Sequence, residues 1–273
     1  MAVTQPNVLV LAGYGLNCEE ETVSAFKMAG ATAQFRHVND VIENPSLLND
    51  YQILAVPGGF SYGDDTGSGN AFALKLRHRL GEALQQFFQR DTLGIGICNG
   101  CQILVNLGVV TPTVEAYGER KVALQHNASN RYQCRWVDLK ADAVAASRSP
   151  WLKGLDRLHV PVAHGEGNFR LAEDAKQHFL KSGQVGLRYV KPDGSPANGE
   201  FPINPNGSEE DIAAMTDATG RILVMMPHPE RAILFTQRDD FPALKEHYLR
   251  NGQALPETAD GLALFKNAVA YFK

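Results

Sequence analysis

The chemistry of this chain is concentrated in Gly96-Ile97-Cys98-Asn99-Gly100. The segment has the G-x-nucleophile-x-G form of a nucleophile elbow, with cysteine in place of serine. A strand that turns sharply into a helix forces its central residue into strained backbone geometry. Side chains two positions to either side would clash, which accounts for the two glycines. Cys98 is then expected at the carboxyl end of a parallel strand, where open α/β sheets place their ligands. It also heads a helix, whose dipole and free N–H groups stabilise a thiolate. Cys98 and Cys101 form a C-x-x-C as well, so a redox dithiol or half of a zinc site stands as an alternative. A structural zinc site wants a second Cys/His pair at ligand spacing, and the sequence has none. Cys101 is expected to pack inside the helix.

A cysteine that cleaves a carbon–nitrogen bond wants a histidine to move its proton and a carboxylate to hold the imidazole. Of the eight histidines, His228 in Met226-Pro227-His228-Pro229-Glu230 stands out. The two prolines fix their own φ and push Met226 and His228 toward extended geometry. In an extended segment residues two apart project to one side, so His228 and Glu230 can pair. His164-Gly165-Glu166 has the same spacing and is the rival pair, less rigid for want of prolines. His37, His78, His126, His159, His178 and His247 lack comparable context and read as surface or satisfied core residues.

The surrounding pattern supplies the elements that such a site needs. Asn7 to Ala12, Ala31 to Val38, Gln52 to Val56 and Leu93 to Ile97 read as short strands. Helices are expected between them: one capped by Asn17 with Val23, Phe26 and Gly30 on its periodic face, and one over Asn70 to Gln89. In the latter, Phe72, Leu76, Leu80, Leu84 and Phe87 recur at helical spacing. A helix over Asn99 to Leu107 follows the fourth strand. Repeated β-α-β implies an α/β fold with an open, mostly parallel sheet flanked by helices. Beyond Arg120, strands are expected at Lys121–Gln125, Tyr132–Leu139, Leu158–Ala163, Val185–Val190, Ile212–Thr216 and Ile222–Met226. One clear helix, Glu173 to Leu180, interrupts them, and two more, near Phe241–Arg250 and Ala259–Phe272, end the chain. Lys191 to Ser208, rich in proline, glycine and asparagine, reads as a long loop. With no repeat and no long linker, residues 1–273 are expected to form one domain.

Composition narrows the function classes. Of 273 residues, 44% are apolar and 21% charged, which excludes collagenous, coiled-coil and disordered chains. The net charge of −4 offers no basic face, so nucleic acid is not an expected partner. Apolar runs such as Val8–Ala12 fall far short of the roughly 18 residues that cross a bilayer. The start, MAVTQPNVLVLAG, lacks a basic segment, so neither a signal peptide nor a membrane partner is expected and the compartment reads as cytoplasmic. Four cysteines in a chain this long do not make a disulfide framework. A Rossmann reading of Gly13-x-Gly15 is weak, because Cys18 takes the third glycine position.

Taken together, GICNGCQ, PGGFSYGD, VAHGEG and MPHPER closely resemble the glutaminase components of phosphoribosylformylglycinamidine synthases, triad-type class I glutamine amidotransferases of de novo purine biosynthesis. The resemblance runs from NVLVLAGYGLNCEEET to the terminal helix and includes Asn127–Trp136 and Asn204–Gly207. It implies a flavodoxin-like fold with additional β-strands in the second half. Residue by residue, it implies Cys98 as nucleophile, His228 as base and acid, and Glu230 as orienting carboxylate. It places Gly58, Gly59 and the Asn99 N–H at an oxyanion hole, with Gln102 and the His164 and Glu166 segment on the substrate side. Glutamine is the implied substrate and ammonia the product. The implied partner is an ATP-dependent synthetase subunit, with a small third subunit in some assemblies. No metal and no cofactor are expected on this chain, ATP and Mg²⁺ belonging to the synthetase. Asp65-Thr66-Gly67-Ser68-Gly69-Asn70 departs from the Tyr-Leu-Arg type sequence of many bacterial relatives and looks closer to the fused, large synthases.

Overall fold

The computed structural model describes residues 5–273, so the first four residues of the expected leaderless start lie outside it. Eleven strands and eight α-helices follow in chain order among those residues: β1 (Asn7–Ala12), α1 (Glu19–Met28), β2 (Thr32–His37), α2 (Val38–Glu43), β3 (Ile53–Val56), α3 (Asn70–Gln89), β4 (Leu93–Ile97), α4 (Asn99–Leu107), β5 (Val122–Gln125), β6 (Gln133–Ala141), α5 (Ala143–Arg148), β7 (Arg157–His164), β8 (Asn168–Leu171), α6 (Glu173–Lys181), β9 (Val185–Val190), β10 (Ile212–Thr216), β11 (Ile222–Met225), α7 (Phe241–Arg250) and α8 (Leu262–Ala270).

Nine of these strands make one sheet in the order β2-β1-β3-β4-β11-β10-β9-β6-β7, and β5 pairs with β8 in a small second sheet. The pairs β1·β2, β1·β3, β3·β4 and β4·β11 are all parallel. The order 2-1-3-4 followed by β11 is the flavodoxin arrangement, with the fifth place taken by a strand from far along the chain. Strands β10, β9, β6 and β7 extend the sheet antiparallel and are the additional strands expected of the second half. Right-handed crossovers carry β1 to β2 one way and β3 to β4 the other, so α1 and α3 fall on opposite faces. Helix α1 packs with α8, and α3 with α4.

Buried parallel strands need apolar side chains on both faces, and Val8 to Leu11 and Ile53 to Val56 are each at most 1% exposed. On α3, Phe72, Leu76, Leu80, Leu84 and Phe87 are all buried, as their spacing predicts. Each such side chain contributes about 1.5–3 kcal/mol on leaving water.

Five local expectations change. Cys18, not Asn17, is the N-cap of α1: its carbonyl accepts the first helical bond, from Thr22 N–H at 3.1 Å. Gly30 lies past the end of that helix with φ of +93°, terminating it instead of packing on its face. Helix α5 was not expected, although Asp142 caps it by accepting from the N–H groups of Val144 and Ala145. Helix α2 and strand β8 were also not foreseen; α2 begins where β2 was expected to continue, capped by His37 Nδ1 accepting from Asn39 N–H.

Candidate active site

The site is assembled at the carboxyl ends of β3, β4 and β11. Cys98 is the residue between β4 and α4, with φ of +51° and ψ of −107°. Such a conformation costs a non-glycine residue about 1–3 kcal/mol and persists only when its surroundings impose it. They do so here. The Cys98 N–H donates to the Met225 carbonyl at 2.8 Å, and the Cys98 carbonyl accepts from Gln102 N–H at 3.1 Å. A Cβ on Gly96 would stand 2.5 Å from the Gly100 oxygen, and one on Gly100 would stand 1.8 Å from the Val56 oxygen. The two glycines therefore let the elbow close and let α4 press onto β3. Cys98 is 4% exposed, and its Sγ lies 3.6 Å from the Ala163 carbonyl oxygen at the end of β7.

Strand β11 runs parallel beside β4, with Met225 opposite Ile97. The next residues of both strands therefore emerge on one rim, and His228 arrives next to Cys98. The His228 N–H is anchored on the Pro161 carbonyl at 2.8 Å. Its Nδ1 meets Glu230 Oε1 at 2.6 Å, with both side chains buried. The expected pair forms, but through a different backbone: Pro229–Arg231 is a 3₁₀ turn and not an extended run. Gly58 sits where His228 and Cys98 converge, since a Cβ there would be 2.8 Å from His228 Cε1 and 3.5 Å from Cys98 Cβ. Burial opposes a charge on His228, but Glu230, Cys98 and Cys18 together outweigh it and hold its pKa well above the ordinary histidine value.

The Gly58 carbonyl accepts from the N–H groups of both Asn17 and Cys18, at 3.0 and 3.2 Å. In a planar trans peptide the following N–H, that of Gly59, must point the opposite way. The Asn99 N–H is one of the free donors of the first turn of α4. Gly15, read with Gly13 as a nucleotide turn, serves this loop instead: Phe60 N–H donates to the Gly15 oxygen, and a Cβ on Gly15 would stand 2.4 Å from the Phe60 oxygen, whereas Gly13 makes room for the His37 ring.

The rival pair does not form. His164 Nδ1 lies 3.2 Å from Asn127 Oδ1. Because Asn127 Nδ2 already donates to the Arg131 and His164 carbonyls, Oδ1 is the acceptor and the His164 proton is on Nδ1. Burial, and then the neighbouring charge of His228, lower the pKa of His164 to about 3. Glu166 turns outward, within 3.6 Å of His126 and accepting from Ser68 N–H at 3.1 Å. Strand β7 ends at His164 and the chain bends at Gly165, so the extended geometry that would align the two side chains is lost. Gln102 is a brace: its Nε2 donates to the Glu166 carbonyl at 2.7 Å, and its Oε1 accepts from Asn99 Nδ2 at 2.9 Å. Asn99 in turn accepts from Ser61 N–H at 3.1 Å and donates to Asp64 at 3.2 Å.

A groove of about 360 Å³ lined by Phe60, Asp64, Ser68, His126, Asn130, Arg131, Tyr132, Gly165 and Glu166 adjoins α4 through the Asn99–Asp64 and Gln102–Glu166 contacts. It holds both acidic groups and a guanidinium, as an amino-acid head group would require. A more enclosed cavity at Phe88, Val109, Tyr117 and Ile222 lies at the opposite, amino ends of β4 and β11, away from this chemistry. Cys101 is fully buried within α4, and burial pushes its thiol pKa well up. All four cysteines are free thiols.

Residues 5–272 match the CobB/CobQ-like glutamine amidotransferase domain. The chain belongs to this amidotransferase family. Among curated members, the phosphoribosylformylglycinamidine synthase subunit PurQ of Methanococcus maripaludis is 47% identical over 98% of this chain and 97% of its own length. The protein of that name from Dehalococcoides mccartyi is 38% identical over 98% of each. The solved structure of PurLQS from Thermotoga maritima contains a chain that superimposes with a TM-score of 0.69 at 27% identity, covering 98% of this chain and all of that one. A GMP synthase subunit from Thermoplasma acidophilum, 12% identical with a TM-score of 0.53, shares the fold alone.

In this amidotransferase Cys98, His228, Glu230, Gly58, Gly59 and Asn99 lie together at the carboxyl ends of β3, β4 and β11. His164, Gln102 and Glu166 border the same region in other roles. Sequence reasoning missed Cys18, Arg231, Asn127 and Tyr132. Cys18 carried one signal: it follows the first strand at the carboxyl edge where open sheets gather ligands.

Proposed function

We propose that this chain is the glutaminase subunit of a phosphoribosylformylglycinamidine synthase, hydrolysing glutamine by a Cys98-His228-Glu230 triad and passing ammonia to a synthetase subunit in purine biosynthesis. One observation carries the chemistry: a cysteine on a glycine-flanked elbow adjoins a buried histidine locked to a buried glutamate at 2.6 Å. Near-full-length relatives named as subunit PurQ carry the assignment of substrate and pathway. The association of PurL, PurQ and PurS in the Thermotoga maritima complex supports a synthetase partner and a small third subunit here.

In this reading His228 already holds the proton of the Cys98 thiol, and the thiolate attacks the side-chain carboxamide carbon of glutamine. The oxyanion forms toward the Gly59 and Asn99 N–H groups. Loss of a single donor of this kind typically raises a barrier by about 2.7–4 kcal/mol. The imidazolium then gives its proton to the departing nitrogen, and ammonia leaves behind a γ-glutamyl thioester. His228 next draws a proton from water, which attacks the thioester carbon and releases glutamate and the thiol. Glu230 fixes the proton on Nδ1 and so leaves Nε2 for both transfers. His164, neutral at working pH and committed through Nδ1 to Asn127, is not the base. The substrate's ammonium and carboxylate are assigned to the groove carrying Asp64, Glu166 and Arg131.

The chain has no G-x-x-x-x-G-K-[ST] segment, and in this reading ATP and Mg²⁺ act on the synthetase, with neither cofactor nor metal needed here. No helix among the described residues is long and apolar enough to cross a membrane, and we assign the protein to the cytoplasm with its pathway. The decisive experiment is Cys98→Ala assayed for glutamate release beside the synthetase subunit. Activity should vanish while the circular dichroism of the fold is kept. Glutamine hydrolysis at the wild-type rate would overturn the triad.

A further inference from the structure

His228 has a second sulfur beside it. Cys18, at the N-cap of α1, is 1% exposed, and its Sγ lies within 4.8 Å of a ring nitrogen of His228 and of a Glu230 oxygen. Three contacts orient that sulfur. Its S–H donates to Asn17 Oδ1 at 3.4 Å, and Arg231 Nη2 donates to Sγ at 2.9 Å. The missing Cβ of Gly58 leaves it open to the imidazole, for a methyl there would be 3.1 Å from Cys18 Sγ and 2.8 Å from His228 Cε1. With the thiol proton turned to Asn17 and one lone pair on Arg231, the remaining lone pair is available to the ring. His228 Nε2 is meanwhile buried without a hydrogen-bond partner.

We propose that Cys18 is a positioning residue for glutamine hydrolysis: its sulfur is a second acceptor, beside that of Cys98, toward the Nε2–H of the His228 imidazolium, and it holds the Arg231 guanidinium at the same time. The inference rests on the reading of Cys98 and His228 as the reacting pair. A charge on His228 has to survive full burial, where an unpaired ion is costly. The groups that face it are Glu230 and Arg231 from its own turn, Cys98 from the elbow, Cys18 from α1, His164 from β7 and Tyr132 from the approach to β6. Glu21 lies 3.6 Å from Arg231 and offsets part of its charge. His164 is neutral, and burial raises the Tyr132 phenol above its ordinary range, so neither supplies charge near neutral pH. The balance is therefore between Glu230 and Cys98 on one side and Arg231 on the other. Cys18 holds the Arg231 guanidinium on its sulfur at 2.9 Å and adds an acceptor beside the ring.

Removing the sulfur should disfavour the imidazolium, and with it the reactive form of Cys98. The test is the rate of Cys98 alkylation by iodoacetamide against pH in the full chain, read by peptide mass spectrometry for wild type, Cys18→Ala, Cys18→Ser and His228→Ala. In Cys18→Ala the rate near pH 6 should fall about tenfold and the profile should move to higher pH, the loss of roughly one hydrogen bond to a charged group. Cys18→Ser, which keeps an acceptor, should recover most of it. A Cys18→Ala profile superimposed on wild type would overturn the proposal. So would a fall by one factor at every pH that serine does not relieve, since a merely structural role acts in that way. His228→Ala keeps the two readings apart. If it moves the profile and Cys18→Ala does not, the role of Cys18 alone fails; if neither moves it, the reacting pair itself is wrong.

Discussion

Replacing His164 by asparagine should make the protein more resistant to mild acid. The fold holds His164 neutral, with burial first and the charge of His228 second lowering its pKa to about 3. In the unfolded chain a histidine titrates near 6.5. Below that value the unfolded chain takes up a proton that the folded chain refuses. The stability from this residue is thus complete above about pH 6.5 and is lost as pH falls toward 3, at about 1.4 kcal/mol per unit. Between about pH 7 and pH 5 the loss sums to about 2 kcal/mol. With a urea m-value of about 3 kcal/mol/M, the unfolding midpoint should drop by about 0.7 M. His228 does not blur this window. Its folded pKa is raised, so it is protonated in both states below its unfolded value, and its own contribution is lost only as pH rises through the raised value. Asparagine at 164 retains a donor for Asn127 Oδ1 but cannot titrate. Urea unfolding of wild type and His164→Asn at the two pH values should show the drop in the first and little in the second. Equal drops in both would mean that the folded protein protonates His164, and the argument that removes it as a base would fail.

Two further outcomes follow from the packing. Gly58→Ala places a methyl 2.8 Å from His228 Cε1, and a displacement of that order near reacting atoms can cost about a hundredfold in rate. Glutaminase kcat should fall by about that factor with little change in Tm; an unchanged kcat would show that the ring has room to move. In native protein, iodoacetamide should label the exposed Cys134 readily and leave the fully buried Cys101 unmodified until urea opens α4. Rapid native labelling of Cys101, followed by peptide mass spectrometry, would revive the dithiol reading.

The arrangement around Cys98 was legible where it is local. Gly96 and Gly100 bracket Cys98 because an elbow admits no Cβ at those positions, and that constraint is written in adjacent residues. The 20-residue span of α3 and the first four strands were equally legible, since their hydrophobic periods are set by their own backbone geometry. Even the choice of His228 over His164 had a local cause in the two prolines, although the pair closes through a 3₁₀ turn that their spacing did not predict. Tertiary structure decided the rest. That Cys98 and His228 meet follows from β11 docking in parallel beside β4, a pairing between segments more than a hundred residues apart that no local period encodes. Other contacts between distant segments bury His164 against Asn127, make Gln102 a brace and bring Cys18 and Arg231 together. Residue type and spacing determine which groups are able to react. Which of them share a low-dielectric space, and therefore which hold a proton, is settled only when distant strands pack side by side.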